Sequence, residues 1–227
     1  MGVKGSIYGI NGPVITIKGN CGYRMNEMVC VGERQLIGEV IGLTKDVTTV
    51  QVYEETGGLR PGEPVEGTGR PIRVTLAPGI INNIFDGIER PLNAIAEKNG
   101  AFIPTGALVE SLDMTKLWDT HIKVKAGDYV QGGSIIAEVP ETKSILHRVM
   151  VPPNRSGEVV RVQPDGAYTI SQELLVIKTE TGEELPLTMT TQWPIRIPRP
   201  VANRYPADRP LVTGQRILDT LFPIAKC

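Results

Sequence analysis

The feature that most restricts the fold of this chain is the close alternation of short β-branched runs with glycine- and proline-bearing turns. From Val3 to about Val65 the runs GSIYGI, VITIKG, MVCVGE, QLIGEVIGL and VTTVQVYEE are separated by NGP, TKD and TGG. None is long enough to carry a helical stripe of several turns, whereas strands of this length with glycine turns build small antiparallel sheets. Closing such a sheet into a barrel removes its exposed edges, so an N-terminal antiparallel β-barrel is predicted. Gly5, Gly9, Gly12, Gly19, Gly22, Gly32, Gly38 and Gly42 then read as turns and barrel bends. A phosphate loop is not the reading, because no Gly-Lys dipeptide occurs in the chain.

A change of architecture is predicted near Arg70. PIRVTL reads as a strand, and GIINNIFDGI as a short apolar helical turn. GTGRPI fails as a dinucleotide fingerprint, since Ile72 stands where the third glycine belongs. Residues 111–187 turn β-rich again, in two blocks of strand, turn and strand: VKAGDYVQGGSIIAEV and VMVPPNRSGEVVRV. Gly127-Asp128, Gly132-Gly133 and Ser156-Gly157 are expected to make the tight turns, and TETGEELPL a closing hairpin. The last segment is proline-rich and then helical. Thr213 is the expected N-cap, Ile217, Leu218, Leu221 and Phe222 form an apolar stripe, and Pro223 ends the helix.

Charge and cysteine usage narrow the function classes. With 24 Lys+Arg against 25 Asp+Glu the formal charge is −1, so the total carries no footprint for nucleic acid or an anionic membrane surface. Cys21, Cys30 and Cys227 make no even framework and no CxxC pair, which suits a reducing compartment. No apolar run approaches the roughly 18 residues of a membrane span.

Catalytic constellations are scarce. His121 has Asp119 two residues away, a spacing that reads as a surface strand pair rather than a dyad. The only other histidine is His147, and HxxxH, CxxC and GxSxG are absent. Trp118 and Trp193 read as buried or interfacial anchors, each with an indole N–H to satisfy.

Two resemblances extend this reading. GDYVQGGSIIAEVPETKSILHRVMVPPNRSGEVV resembles the lipoyl and biotinyl carrier family, in which a modified lysine stands at a hairpin tip. Lys143 occupies that place here, although Pro140 is inserted and the flanking Asp and Ala of the carrier motif are missing. On this alternative the chain is a carrier or adaptor protein modified at Lys143. The stronger resemblance is collinear over nearly the whole chain. GSIYGINGPVI, LRPGEPVEGTGRPIRVTLAPGIINNIFDGIERPL, KVKAGDYVQGGSIIAEV, VMVPPNRSGEVV, TTQWPIRIPRPV and RPLVTGQRILDTLFPIAK are similar to the N-terminal part of the catalytic A subunit of vacuolar and archaeal type rotary ATPases.

That resemblance implies a mainly β fold in four stretches: residues 1–69 as the N-terminal β-barrel, 70–110 as a first, incomplete segment of an α/β nucleotide-binding domain, 111–187 as an inserted barrel-sandwich-like bulge, and 188–227 as a second incomplete segment. It implies B subunits as partners through the barrel, the peripheral stalk as a partner of the bulge, and a cytoplasmic position on the soluble head of a membrane complex. No nucleic acid partner and no direct membrane insertion are expected. ATP or ADP with Mg would serve the full-length subunit, whose phosphate loop is expected beyond Cys227. Hence no catalytic, cofactor-binding or metal-binding residue is assigned within these residues, and the chain alone is expected to be inactive. Cys227 stands where the family carries glycine, which raises a truncated product or the start of a self-splicing insert as explanations.

Overall fold

A computed structural model describes residues 3–81, 83–100, 103–106, 109–201 and 206–226. The chain divides into two units, Met1–Ile197 and Pro198–Cys227. Cys227 lies outside the described residues.

The first unit begins with a closed barrel. Its strands are β1 (Lys4–Asn11), β2 (Val14–Lys18), β3 (Glu27–Val31), β4 (Leu36–Leu43), β5 (Val47–Val52) and β6 (Pro64–Pro71), paired in the order β1-β2-β5-β4-β3-β6. Period-2 alternation turns Ile15 and Ile17, Val29 and Val31, and Val50 and Val52 inward, where they join Ile7, Leu36, Val40 and Val65. Each such side chain contributes roughly 1.5–3 kcal/mol on leaving water. Gly38 sits inside β4 for a packing reason: a Cβ there would meet Val50 Cγ1 at 2.9 Å and the Gln51 carbonyl oxygen at 3.0 Å. Register shifts between Ile7 and Gly9, and between Val40 and Gly42, bend the strands around the closure. Tyr23 packs against the barrel core and donates its hydroxyl to the Val65 carbonyl at 2.8 Å. Burial pushes that phenol up to about 12.

PIRVTL is not one strand. Pro71 ends β6, and β7 (Arg73–Leu76) begins after buried Ile72. Among the described residues of GIINNIFDGI the expected helical turn is not formed, and the helix of this region is α1 (Leu92–Asn99). Side-chain capture of the backbone explains the difference. Within that stretch Glu141 Oε1 accepts the N–H groups of Gly79 at 2.7 Å and Ile81 at 3.2 Å, and Asp86 Oδ1 accepts that of Ile88 at 3.1 Å and, just beyond it, that of Arg90 at 2.8 Å. These N–H groups are withdrawn from any helical ladder, because a carboxylate offers the backbone an alternative partner.

Eight strands follow: β8 (Trp118–Ile122), β9 (Tyr129–Gln131), β10 (Ile135–Pro140), β11 (Leu146–Met150), β12 (Ser156–Val162), β13 (Gly166–Tyr168), β14 (Leu175–Lys178) and β15 (Glu184–Leu187). They form two four-stranded sheets, β11-β10-β8-β13 and β15-β14-β12-β9. The short turn after β9 and the segment after β11 each carry the chain from one sheet to the other. The core between them holds Val130, Ile136, Val139, Val149, Val159, Leu174, Leu175 and Ile177. Ala77 and Leu112, with half-buried Ile80 and Phe85, belong to the same cluster. The TETGEELPL hairpin forms between β14 and β15. Ser156-Gly157, expected as a turn, instead opens β12. Gly157 is required there because a Cβ would overlap the Lys178 carbonyl of the neighbouring β14. Finally β16 (Thr191–Pro194) returns to pair antiparallel with β7.

In the second unit α2 (Arg216–Leu221) is capped differently from expectation. Gln215 is the N-cap residue and makes no side-chain cap bond. Thr213 lies further out, where its Oγ1 accepts Gln215 N at 3.2 Å and donates to Asp219 Oδ1 at 2.7 Å, while Gly214 N donates to Asp219 Oδ2 at 3.0 Å. Asp219, reaching back from the helix, holds Thr213 and Gly214 ahead of its first turn. Ile217, Leu218, Leu221 and Phe222 are exposed.

Candidate functional site

The polar groups with unusual environments cluster where the barrel meets the segments that follow it. Glu39, on β4, is fully buried, although it lies in the otherwise apolar run LIGEVIGL. Arg196, just after β16, donates to it with Nε at 3.0 Å and Nη2 at 2.5 Å, and the Tyr53 hydroxyl donates to the same carboxylate. The bidentate guanidinium holds the Glu39 carboxyl below the usual range, against the opposite pull of burial. Burial and the facing carboxylate push Tyr53 up.

Glu54, next in the chain after Tyr53, makes a second anchor. Its carboxylate accepts Arg90 Nη1 at 3.1 Å, Gly106 N at 2.8 Å and Ile37 N at 3.2 Å. Arg90 is shared with Asp86, whose Oδ2 receives Nε at 2.6 Å. Burial raises the Asp86 carboxyl, but its N–H donors from Arg90 and Ile88 more than offset that and leave it below the ordinary range. Two carboxylates of the barrel thus fasten residues about forty and more than a hundred and fifty positions away, on the segments around 86–106 and 191–197.

Each of the two histidines lies beside a carboxylate. Exposed His121 has Asp119 Oδ2 3.7 Å from Nε2 and Asp165 Oδ2 3.4 Å from Nδ1, a solvated strand-face cluster. His147 Nδ1 lies 3.5 Å from Glu141 Oε2, and burial pushes its imidazole down, with Glu141 opposing. Glu141 is almost buried, and its Oε1 accepts Gly79 N at 2.7 Å and Ile81 N at 3.2 Å. Among the described residues no group of three or more His, Cys, Asp or Glu is placed to hold a metal ion. Lys143 is exposed at the tip of the β10–β11 hairpin, which Thr142 Oγ1 shapes by accepting Ile145 N at 3.0 Å. Of the two tryptophans, Trp193 donates Nε1 to the Ile197 carbonyl at 2.7 Å. Trp118 Nε1 is buried with no acceptor among the described residues.

Sequence reasoning missed Glu39 and Glu54 with their arginine partners, and Glu141 with the N–H groups it accepts. The available signal was a single acidic residue inside a run that otherwise reads as buried strand, as in LIGEVIGL. The positions of the partners were not legible.

Exposed apolar side chains on the barrel include Tyr8, Met25 and Ile41. Among the described residues no helix is long and apolar enough to cross a membrane.

Comparison with known proteins follows the same division. Residues 7–69 match the β-barrel domain of the ATP synthase alpha/beta family, and residues 109–196 match the barrel-sandwich domain of ATP synthase alpha/beta subunits. The chain is 52% identical over 224 residues to the V-type ATP synthase alpha chain of Halothermothrix orenii, covering 99% of this chain and 38% of that relative. It is 49% identical over 224 residues to the A subunit of the A-type ATP synthase of Methanopyrus kandleri, covering 99% and 38%. To the catalytic A subunit of the V-type proton ATPase of Dictyostelium discoideum it is 48% identical over 223 residues, covering 97% and 36%. The chain therefore spans well under half the length of these curated relatives. The carrier alternative finds no support: the stretch around Lys143 lies within the barrel-sandwich match. The chain belongs to the ATP synthase alpha/beta family, and its relatives include the A subunits of A-type and V-type ATP synthases.

Proposed function

We propose that these residues do the assembly work of the catalytic A subunit of a rotary ATPase or ATP synthase, which couples ATP hydrolysis or synthesis to H+ or Na+ transport. The observation that carries this reading is identity of about half along essentially the whole chain to subunits of that kind. On this reading residues 1–69 and 111–187 are the barrel and the inserted bulge, and 70–110 and 188–227 belong to a nucleotide-binding domain. The barrel meets B subunits through exposed side chains such as Tyr8 and Met25, the bulge meets the peripheral stalk, and the whole sits on the cytoplasmic head of the complex. ATP or ADP with Mg binds the whole subunit through groups other than these. Gripping phosphates takes a run of aligned amides and a lysine, and no Gly-Lys dipeptide occurs here.

The test is association with a purified B subunit from an A-type synthase, followed by native mass spectrometry and calorimetry. A defined complex is expected at micromolar concentration. Tyr8→Asp and Met25→Asp, on exposed positions, should weaken it at least tenfold while leaving the circular dichroism unchanged. The isolated chain should show no Mg-dependent ATP binding at micromolar concentration and no turnover. Failure to associate with that B subunit, or clear ATP hydrolysis by the pure chain, contradicts the proposal.

A further inference from the structure

The two sandwich sheets end in four edge strands, β9, β11, β13 and β15, and three of these are poor templates for a further strand. β9 and β13 are three residues each. In β15 the backbone bonds to β14 fall on odd positions, since Thr179 N donates to the Glu183 carbonyl and Leu174 N to the Leu187 carbonyl, both at 2.9 Å. Pro186 therefore faces the free side, and it has no N–H to offer there. β11 is five residues long and contains no proline.

The register of β11 fixes what its free side presents. Glu141 N donates to the Ile145 carbonyl at 3.0 Å, and Val151 donates to the Ser134 carbonyl and accepts Gly133 N, both at 2.9 Å, so odd positions bond toward β10. By the alternation of an antiparallel ladder, the N–H and C=O groups of Leu146, Arg148 and Met150 point away from β10. Among the described residues no strand pairs on that side. The side chains of the same three residues are exposed on the outer face of the sheet, while Val149 between them is buried in the core. Ile135, opposite Met150, is exposed as well. An open backbone edge that carries apolar side chains at alternate positions is the surface on which an extended segment adds as a strand.

Charge decides between occupants. In a symmetric antiparallel pair of two copies centred on the middle of β11, Leu146 would lie opposite Met150, but Arg148 would lie opposite Arg148, and like charges directly opposed are destabilising. Arg148, with its side chain 62% exposed, is only loosely paired within the sheet. Its Nε stands 3.9 Å from Glu138 Oε1, and the other oxygen of that carboxylate takes Lys123 Nζ at 2.7 Å. Lys143, exposed at the tip of the same hairpin, adds a second cation. The edge thus disfavours its own kind and favours a strand with a carboxylate at its centre.

We propose that β11 is a docking edge for an extended acidic segment of a partner protein, which adds as an antiparallel fifth strand with Asp or Glu opposite Arg148 and apolar residues two positions to either side, over Leu146 and Met150. This goes beyond the assembly role proposed above. It requires neither the barrel nor a B subunit, and its failure would leave that association untouched.

The probes are acetyl-Thr-Val-Thr-Glu-Thr-Val-Thr-amide and the same peptide with Lys in place of Glu, each titrated into the 15N-labelled 227-residue chain. The glutamate peptide is expected to bind saturably and to shift the amides of Leu146, Arg148 and Met150 downfield. At saturation their hydrogen exchange should slow at least threefold, with little change at His147 and Val149, whose N–H groups already face β10. The lysine peptide should bind at least tenfold more weakly. Arg148→Glu, at an exposed position, should reverse that preference. No saturable shift at millimolar peptide, equal affinity for the two peptides, an unreversed preference in Arg148→Glu, protection that falls on residues other than the three, or a dimer of the chain that closes this edge would each overturn the proposal. If Arg148→Glu fails to fold, the protection pattern of the wild type and its choice between the two peptides remain decisive.

Discussion

Glu39 shows how much one residue decides. A carboxylate without access to water is strongly disfavoured unless it is paired and hydrogen-bonded, and Arg196 and Tyr53 supply the pairing. Its folded pKa lies below the ordinary value, so the group stabilises the fold fully above its unfolded pKa and loses that contribution as pH falls through the folded one. Urea midpoints of the wild type should therefore decline on acidification below about pH 4 to 5. Glu39→Gln should be less stable at pH 7 and decline less steeply over the same interval. An unchanged acid limb in the variant would exclude Glu39 as a contributor. The lone glutamate of LIGEVIGL was visible in the sequence, but nothing in it pointed to Arg196, 157 residues away.

At the scale of the element, strand existence was largely legible, because alternation and β-branched content act locally. GSIYGI, VITIKG and VTTVQVYEE correspond to strands, and TETGEELPL to a hairpin. Gly127 and Gly132-Gly133 lie in turns as expected, and what failed was the assignment of Ser156-Gly157 to one. Gly157 is a glycine of close approach rather than of backbone conformation, since it lies in β12 against the β14 backbone. Gly157→Ala should push the β12–β14 pair apart and lower stability by about 1–3 kcal/mol, the usual cost of overpacking. Equilibrium urea unfolding measures this. Gly182, with a φ of +84° in the β14–β15 turn and open space around its Cβ position, is the contrasting case. Alanine there should cost about 1–2 kcal/mol, through left-handed backbone strain alone. The missing helical turn at residues 79–88 has a comparable cause. Glu141 takes the N–H groups of Gly79 and Ile81 and Asp86 that of Ile88, and capture of that kind depends on where the side chains point rather than on apolar spacing.

At the scale of the whole molecule the two units differ in how they are held. Residues 1–197 share a barrel core, a sandwich core that takes in Ala77 and Leu112, the β7–β16 pairing and the Glu39 and Glu54 anchors. Residues 198–227 carry a six-residue helix with none of its side chains buried. Low burial means low local opening free energy. Trypsin should cut first at basic residues beyond 198, such as Arg209 and Arg216, and leave a resistant fragment ending near residue 197, as read by mass spectrometry. Early cleavage at Arg70 or Arg73 would contradict this. By itself the sequence determined the β-rich composition, the barrel at the start, the second β-rich region and the family, because each rests on local periodicity or on long collinear strings. Only the tertiary structure decided that β9 and β10 enter opposite sheets, that β7 waits for β16, and which carboxylates are buried. Those outcomes depend on contacts between residues far apart in the chain, where local propensity carries no information about the partner.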